Sequence, residues 1–430
     1  MTNSFQSYNM NYYPKAFLHF MKLIYTKLFF WALISFGMLQ SAEAQNNRVS
    51  TRLLPPVETQ PTVTKGQKPA FEGQTRIGGV KTKSKIQLTT ISTGLNFPWG
   101  LDFLPDRRMI VTEKSGNIRI VTKEGVVGNP IRGVPAVRLQ GDGGLYDIKL
   151  DPDFKVTRLV FWTFVEAVTG GGVTSVARGK LSQDETRFED VKIIYRASPA
   201  YEGPNHNGSR MIFDKKGNLF VSFGERFDDE IRKNAQYLSS SLGKIIRINK
   251  EGKAVPGNPF EKTPNALPEI WTLGHRNPQG LAFNPETGDL WESEHGPQAG
   301  DEINIIKAGA NYGWPLIAYG LEYSGKPVNG GLTAMKGMRQ PVYYWDPAIA
   351  PSGITFYNGN LIPEWKSNLF VAALRGSHII RLVIKNNKVV GEERLFTDLH
   401  KRFRYITQGP DGALYAIIDD ENGKIFKITN

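Results

Sequence analysis

Six times after residue 86 the chain repeats one local design: a short apolar run, a turn built on Gly with Asp or Asn, then a second alternating run. The instances are PWGLDFLPDRRMIVTEKSGNIRIV, GGLYDIKLDPDFKVTRLVFWTF, GSRMIFDKKGNLFVSFGE, PQGLAFNPETGDLWESEHG, PSGITFYNGNLIPEWKSNLFVAALRGSHIIRLVI and QGPDGALYAIIDDENGKIFKIT. Period-two alternation, as in Asn218-Leu219-Phe220-Val221-Ser222-Phe223, fits a strand with one buried face, and the Gly-containing links fit hairpins. Repeats of roughly 45 to 75 residues, each a small antiparallel sheet, are propeller blades. The pattern predicts an all-β chain with a single six-bladed β-propeller over residues 86–430. Extra residues between strands must then lie on the propeller faces, where sites are usually assembled. The longest insertions fall near 225–275 and 295–350, so those loops are expected to carry the chemistry.

The N-terminal part breaks this pattern. Lys22 and Lys27, an apolar run from Leu28 to Leu39, and small residues at Ala42 and Ala44 read as a secretory signal over residues 1–44, with Met21 an alternative start. The apolar run is shorter than the ~20 residues a membrane span needs, so cleavage after Ala44 is expected, and a periplasmic or secreted protein without a stable membrane anchor. Residues 45–85 are polar and basic without apolar period, which predicts a flexible leader. The chain contains no cysteine. That excludes disulfides, thiolate metal sites, thiol nucleophiles and a C-x-x-C-H haem. Net charge is +12, and its scattered basic residues read as solubility rather than as a nucleic-acid surface, for which no motif is present.

Three segments are more specific than a propeller requires: GPNHNGSR; LGHRNPQGLAFNPETGDLWESEHGPQAGDEINIIKAGANYGWP; and the pair AALRGSH and RFRYI. Together, over most of residues 90–430, they resemble the soluble quinoprotein sugar dehydrogenases, the family of soluble glucose dehydrogenase and aldose sugar dehydrogenase. The resemblance implies pyrroloquinoline quinone (PQQ) and calcium on the top face of the propeller. It also implies oxidation of the anomeric hydroxyl of aldoses, with hydride passing from sugar C1 to the quinone while a histidine takes the hydroxyl proton.

His206 falls at that histidine; alone, in its Asn- and Gly-rich turn, it reads as a turn residue. Glu225 stands where an aspartate pairs with the histidine in the glucose dehydrogenase branch, and a carboxylate on one imidazole nitrogen would leave the other free as base. A Glu225–His206 hydrogen bond is therefore expected. Arg276 matches the arginine at the reacting carbonyl, where it would stabilise developing negative charge, and Asn277 accompanies it. Arg402 and Arg404, two apart, would share one side of a strand and match a pair of cofactor arginines. Arg375 stands for a lysine of the glucose branch, and Tyr323 is a further cofactor contact. The main-chain carbonyls of Gly296 and Pro297 match the cofactor-bridging calcium, and Glu302 with the carbonyl of Tyr312 a second, structural calcium.

The sequence also departs from the family. Asp142 replaces a glutamine that touches sugar and cofactor, Asn205 replaces an aspartate, and Asp346 and Ala348 stand for a cofactor-facing Trp and Thr. Asp142 puts a negative charge near the cofactor carboxylates and is expected to alter affinity or substrate choice, whereas Asn205, Asp346 and Ala348 fit the aldose branch with a more open sugar site. The implied partners are an aldose and a separate electron acceptor. The sequence leaves the oligomeric state open. A non-catalytic propeller binding carbohydrate or protein, and a propeller lactonase, are the alternatives.

Overall fold

The computed structural model describes residues 53–430; the expected signal sequence lies outside the described residues. Each repeat forms one antiparallel sheet, and the six sheets are the blades of a propeller. The first blade is Pro98–Phe103, Met109–Glu113 and Asn117–Val121; the second is Leu145–Leu150, Leu159–Val168, Gly171–Leu181 and Phe188–Arg196. The third is Met211–Phe213, Leu219–Phe223, Lys244–Ile248 and Ile270–Leu273; the fourth is Pro278–Phe283, Leu290–Glu294, Asp301–Ile306 and Tyr343–Trp345. The fifth is Pro351–Phe356, Leu369–Ala373, His378–Lys385 and Lys388–Leu395. The sixth joins Phe403–Gln408, Leu414–Ile418 and Gly423–Thr429 to Gln87–Leu95, an early strand that pairs antiparallel with the last one and so closes the ring.

Apolar alternation does more here than bury one face. The second strands Met109–Glu113, Leu219–Phe223, Leu290–Glu294, Leu369–Ala373 and Leu414–Ile418 are buried at every position, because each sheet is covered by a neighbouring blade on both sides. The single buried face expected for Asn218–Phe223 is thus corrected: Phe220 packs with Ile245, Leu281 and Leu290 toward the fourth blade, and Val221 and Phe223 pack with Phe161 and Met211 toward the second. Similar clusters join the other neighbouring blades, including Leu101 and Val111 with Tyr405 and Tyr415 across the closure. On the inner strands Arg210 bonds Asp147 at 2.8 Å and lies over the rings of Trp99 and Tyr405 at 4.1 and 4.3 Å, joining four blades.

The expected flexible leader is also corrected from residue 53 onward. Leu54–Pro56 pairs with Gly78–Gly79, which pairs in parallel with Glu392 on the outer edge of the fifth blade. Carboxylates hold the polar chain where an apolar face would otherwise be needed. Asp346, buried, accepts from Val63 N at 2.7 Å and Thr64 N at 3.2 Å, while Glu393 and Glu364 accept from Thr82 N and Ser84 N at 2.6 and 2.7 Å. Asp346, expected to open the sugar site, is therefore a cap for this strap. Among the described residues no helix is long and apolar enough to cross a membrane.

Candidate active site

In a blade of antiparallel strands, the start of the innermost strand and the end of the second lie at one edge. Asp142, His206, Asn277 and Arg404 lie at or just before innermost strands; Glu225, Gly296 and Arg375 follow second strands. Topology alone puts them on one face. Parts of the expected insertions reach this face, Phe227 from the first and Tyr312 and Tyr323 from the second, but residues 249–269 link a third strand to a fourth and so lie at the opposite edge, and several key residues sit at strand ends.

His206 is the centre of the cluster. Its backbone is left-handed (φ 51°), and Gly208 two residues on must be glycine, since a Cβ there would come within 2.6 Å of Gly224 N. The glycine lets the two turns touch. The expected hydrogen bond is present: His206 Nδ1 lies 3.0 Å from Glu225 Oε1, with Glu225 fully buried. His206 N–H donates to Asp142 Oδ2 at 3.3 Å, so the residue standing in for glutamine grips the histidine's own backbone. Burial and then the Arg276 cation hold the imidazole below its ordinary value, against the pull of Glu225 and Asp142. It is neutral near pH 7. With Nδ1 on Glu225, Nε2 is left at a mouth lined by Asp142, Asn205, His206, Phe227 and Tyr323.

Arg276 joins two turns. Its carbonyl accepts from Glu225 N at 2.9 Å and its N–H donates to Glu294 Oε2 at 2.6 Å. Its Nη1 donates to the carbonyls of Gly296 at 2.6 Å and His295 at 3.2 Å, while its buried Nε has no hydrogen-bond partner and lies 4.0 Å from Glu225 Oε1. The Gly296 carbonyl expected to meet calcium thus already accepts from Arg276 Nη1, and an ion there would share this oxygen with the guanidinium. Asn277 Oδ1 accepts from Gly208 N at 3.1 Å and Gln279 Nε2 at 3.1 Å, bracing the histidine turn. Arg402 and Arg404 do share a side, both pairing with Asp419 at 3.0 and 3.1 Å. Against the burial that raises it, the two guanidiniums hold Asp419 below the usual carboxylate range. Arg404 keeps a buried Nε without a partner. Arg375 is exposed and is not in hydrogen-bonding contact with any of these residues. Tyr323 is exposed at the mouth, 6.0 Å from the Phe227 ring.

Gly296, Pro297, Glu302 and Tyr312, expected as ligands of two ions, line one cavity of about 20 Å³, together with Glu294. Strand register explains a cluster that the sequence reading missed. Glu294 pairs with Glu302 across neighbouring strands and Glu292 with Asn304, which puts three carboxylates on one face. Asn304 Nδ2 lies 3.1 to 3.2 Å from all three, His275 Nδ1 lies 3.3 Å from Glu294 Oε1, and Glu292 Oε1 is buried without a partner. Burial and mutual repulsion hold Glu292 and Glu302 well above the usual range. Among the described residues no Lys or Arg pairs with these three. Opposed like charges destabilise a sheet, and buried charges are ordinarily paired or coordinate metals. The signal was the spacing Glu292-x-Glu294 in a strand, which places both side chains on one face. Asp301 was missed too: it accepts from Gly296 N, Ile349 N and Ala350 N at 2.6 to 2.8 Å, fixing the Gly296 turn, and burial raises it to about 6.

Comparison with known proteins matches most of this chain, about four fifths of it in the relatives compared. A family profile described as glucose/sorbosone dehydrogenase matches residues 95–427. The aldose sugar dehydrogenase YliI of Escherichia coli K12 is 39% identical over 349 residues, covering 80% of this chain and 93% of that protein. The crystal structure of the soluble aldose sugar dehydrogenase from Escherichia coli in its apo form superposes with a TM-score of 0.77 at 38% identity, covering 80% of this chain and 99% of that one. The PQQ-bound aldose sugar dehydrogenase from Streptomyces coelicolor gives a TM-score of 0.66 at 26% identity, covering 81% and 100%.

Proposed function

Because the chain belongs to the glucose/sorbosone dehydrogenase family, we propose that it oxidises aldose sugars at the anomeric carbon to lactones, using PQQ and calcium. The observation that carries this reading is the buried Glu225–His206 pair, with Nε2 directed to a solvent-open mouth beside Arg276. Glu225 fixes the Nδ1–H tautomer, so that Nε2, neutral near pH 7, takes the proton of the anomeric hydroxyl.

The donor chemistry of the face fits the two groups. Arg276 and Arg404 each keep a buried Nε without a partner, as suits a planar anion gripped by guanidinium forks. Asn277, Arg402, Arg375, Tyr323 and Asp142 complete the set that would hold the cofactor. The carbonyls of Gly296 and Pro297, and the carboxylate of Glu302 with the carbonyl of Tyr312, are the oxygen donors calcium prefers; Glu292 and Glu294 add negative charge beside them. Bound there, PQQ would supply a hydride acceptor for sugar C1, and calcium a Lewis acid beside it. Arg276 would supply a fixed positive charge where negative charge develops.

With no cysteine for a covalent haem, electrons would leave to a separate acceptor. The signal-like N-terminus would carry the enzyme to the periplasm or outside the cell. The test is to add PQQ and calcium to the purified protein and follow reduction of an electron-accepting dye with a panel of aldoses. Aldose-dependent reduction that needs both additions is expected; no reduction with any aldose would overturn the reading.

A further inference from the structure

The turn after Glu225 contains two consecutive residues other than glycine in the left-handed region, Arg226 and Phe227, both at φ 78°. L side chains seldom adopt it, and such strain persists only where the surroundings over-determine it. Here they do. Phe227 N–H donates to the Glu225 carboxylate, and Asp228 N–H donates to the Arg226 carbonyl at 3.0 Å. The Arg226 guanidinium donates from Nη1 to Asn207 Oδ1 and from Nη2 to the Gly203 carbonyl, on either side of His206. Arg226 is 3% exposed and has no carboxylate partner among the described residues, and although its buried Nε has no acceptor, both hydrogen bonds that its guanidinium makes go to this one joint.

The result is an aromatic ring that the core does not use. Phe227 is 36% exposed, its ring edge-on to His206 at 4.9 Å and 89°, with Tyr323 facing it across the mouth at 6.0 Å. Arg232 on the same loop pairs with Glu322 at 2.9 Å and holds Tyr323's segment opposite. The other mouth residues, Asp142, Asn205 and His206, are polar. A pyranose has the matching surface: an apolar C–H face that packs on an aromatic ring, with hydroxyls at its edge for polar groups.

We propose that Phe227 is the specificity-determining wall of the sugar subsite, packing the C–H face of the aldose while its anomeric hydroxyl meets His206, and that Arg226 is the positioning residue that holds this wall and the histidine in register. The proposal rests on the dehydrogenase reading. A ring packed on the sugar in both ground and transition states changes KM more than kcat. Arg226, acting through His206, changes kcat.

The experiment compares wild type, Phe227→Ala, Phe227→Tyr and Arg226→Lys, all loaded with PQQ and calcium, on glucose, galactose, xylose and maltose. Binding of methyl β-glucoside, which has no free anomeric hydroxyl, is followed in parallel by saturation-transfer NMR. Phe227→Ala is expected to raise KM about tenfold with kcat within about threefold, to change the glucose-to-galactose preference, and to lose transfer to the sugar C–H protons. Phe227→Tyr restores all three. Arg226→Lys lowers kcat and shifts the acid limb of the pH profile while leaving PQQ absorbance intact. Equal losses on every aldose with KM unchanged, or C–H transfer undiminished in Phe227→Ala, would overturn the proposal. Wild-type protein that shows saturation transfer but no dye reduction would overturn the dehydrogenase reading and leave the sugar wall standing. Absence of transfer in wild type would overturn the wall.

Discussion

At the scale of single residues, the account turns on charges placed out of water. Glu225 is fully buried between an imidazole and the Arg276 side chain, so replacing it by Gln removes the anchor of the His206 tautomer. Glu225→Gln is expected to lower kcat by about 100-fold with PQQ content unchanged; equal losses of both would count against its role. The pH dependence has a definite sign. Burial and Arg276 hold His206 below its ordinary value and Glu225 pulls it upward, so the acid limb of wild-type kcat/KM should lie below the ordinary imidazole range, and in Glu225→Gln it should move lower still. The Glu292–Glu294–Glu302 face makes a second prediction. Glu292 and Glu302 are raised in the folded state, so calcium-free protein should lose stability as pH rises through their elevated range, and calcium should remove that loss by favouring the ionised forms. Glu292→Gln should raise Tm in chelator yet reduce the Tm gain from added calcium; a variant that behaves as wild type in both would contradict a cation at this cluster. His206 and Arg276 were legible because a motif block held each, and Glu225 because it ends a repeat at the place where the resembled family pairs a carboxylate with the histidine. Glu292 and Asp301 were not, since their meaning depends on cross-strand register and on the N–H groups that a distant turn presents.

At the scale of elements, the six strand–turn–strand repeats were legible because period-two alternation and Gly-Asp turns are local properties of the chain. What alternation could not convey is that second strands are covered on both faces, which only the stacking of neighbouring blades decides. The strap from Leu53 to Lys85 was illegible for a related reason: its order comes from Asp346, Glu393 and Glu364, between 280 and 311 residues away along the chain. A polar segment bound by distant carboxylates has the composition of a disordered one. Asp346→Ala should leave the Val63 and Thr64 N–H groups without their acceptor, costing about 1–3 kcal/mol. Limited proteolysis should then cut within residues 57–77 before the propeller is attacked; resistance equal to wild type would show that the strap is held otherwise.

At the scale of the whole molecule, a ring without disulfides is closed by one pairing, Gln87–Leu95 on Gly423–Thr429, and by apolar clusters shared between neighbouring blades. This geometry gathers strand ends from several blades onto one face, which is why residues from Asp142 to Arg404 can serve one site. Arg375 remains on an exposed turn with its guanidinium free of ion pairs among the described residues, and the reading assigns it to the cofactor only through its position in the sequence. The most direct test omits the dye. Protein loaded with PQQ and calcium is mixed anaerobically with one equivalent of glucose while the cofactor absorbance is followed, for wild type and for His206→Ala. The account predicts that both bind PQQ, that wild type reduces it within the mixing experiment, and that His206→Ala does so at least about 100-fold more slowly. Reduction in His206→Ala at the wild-type rate, or wild type that fails to bind PQQ at all, would contradict it.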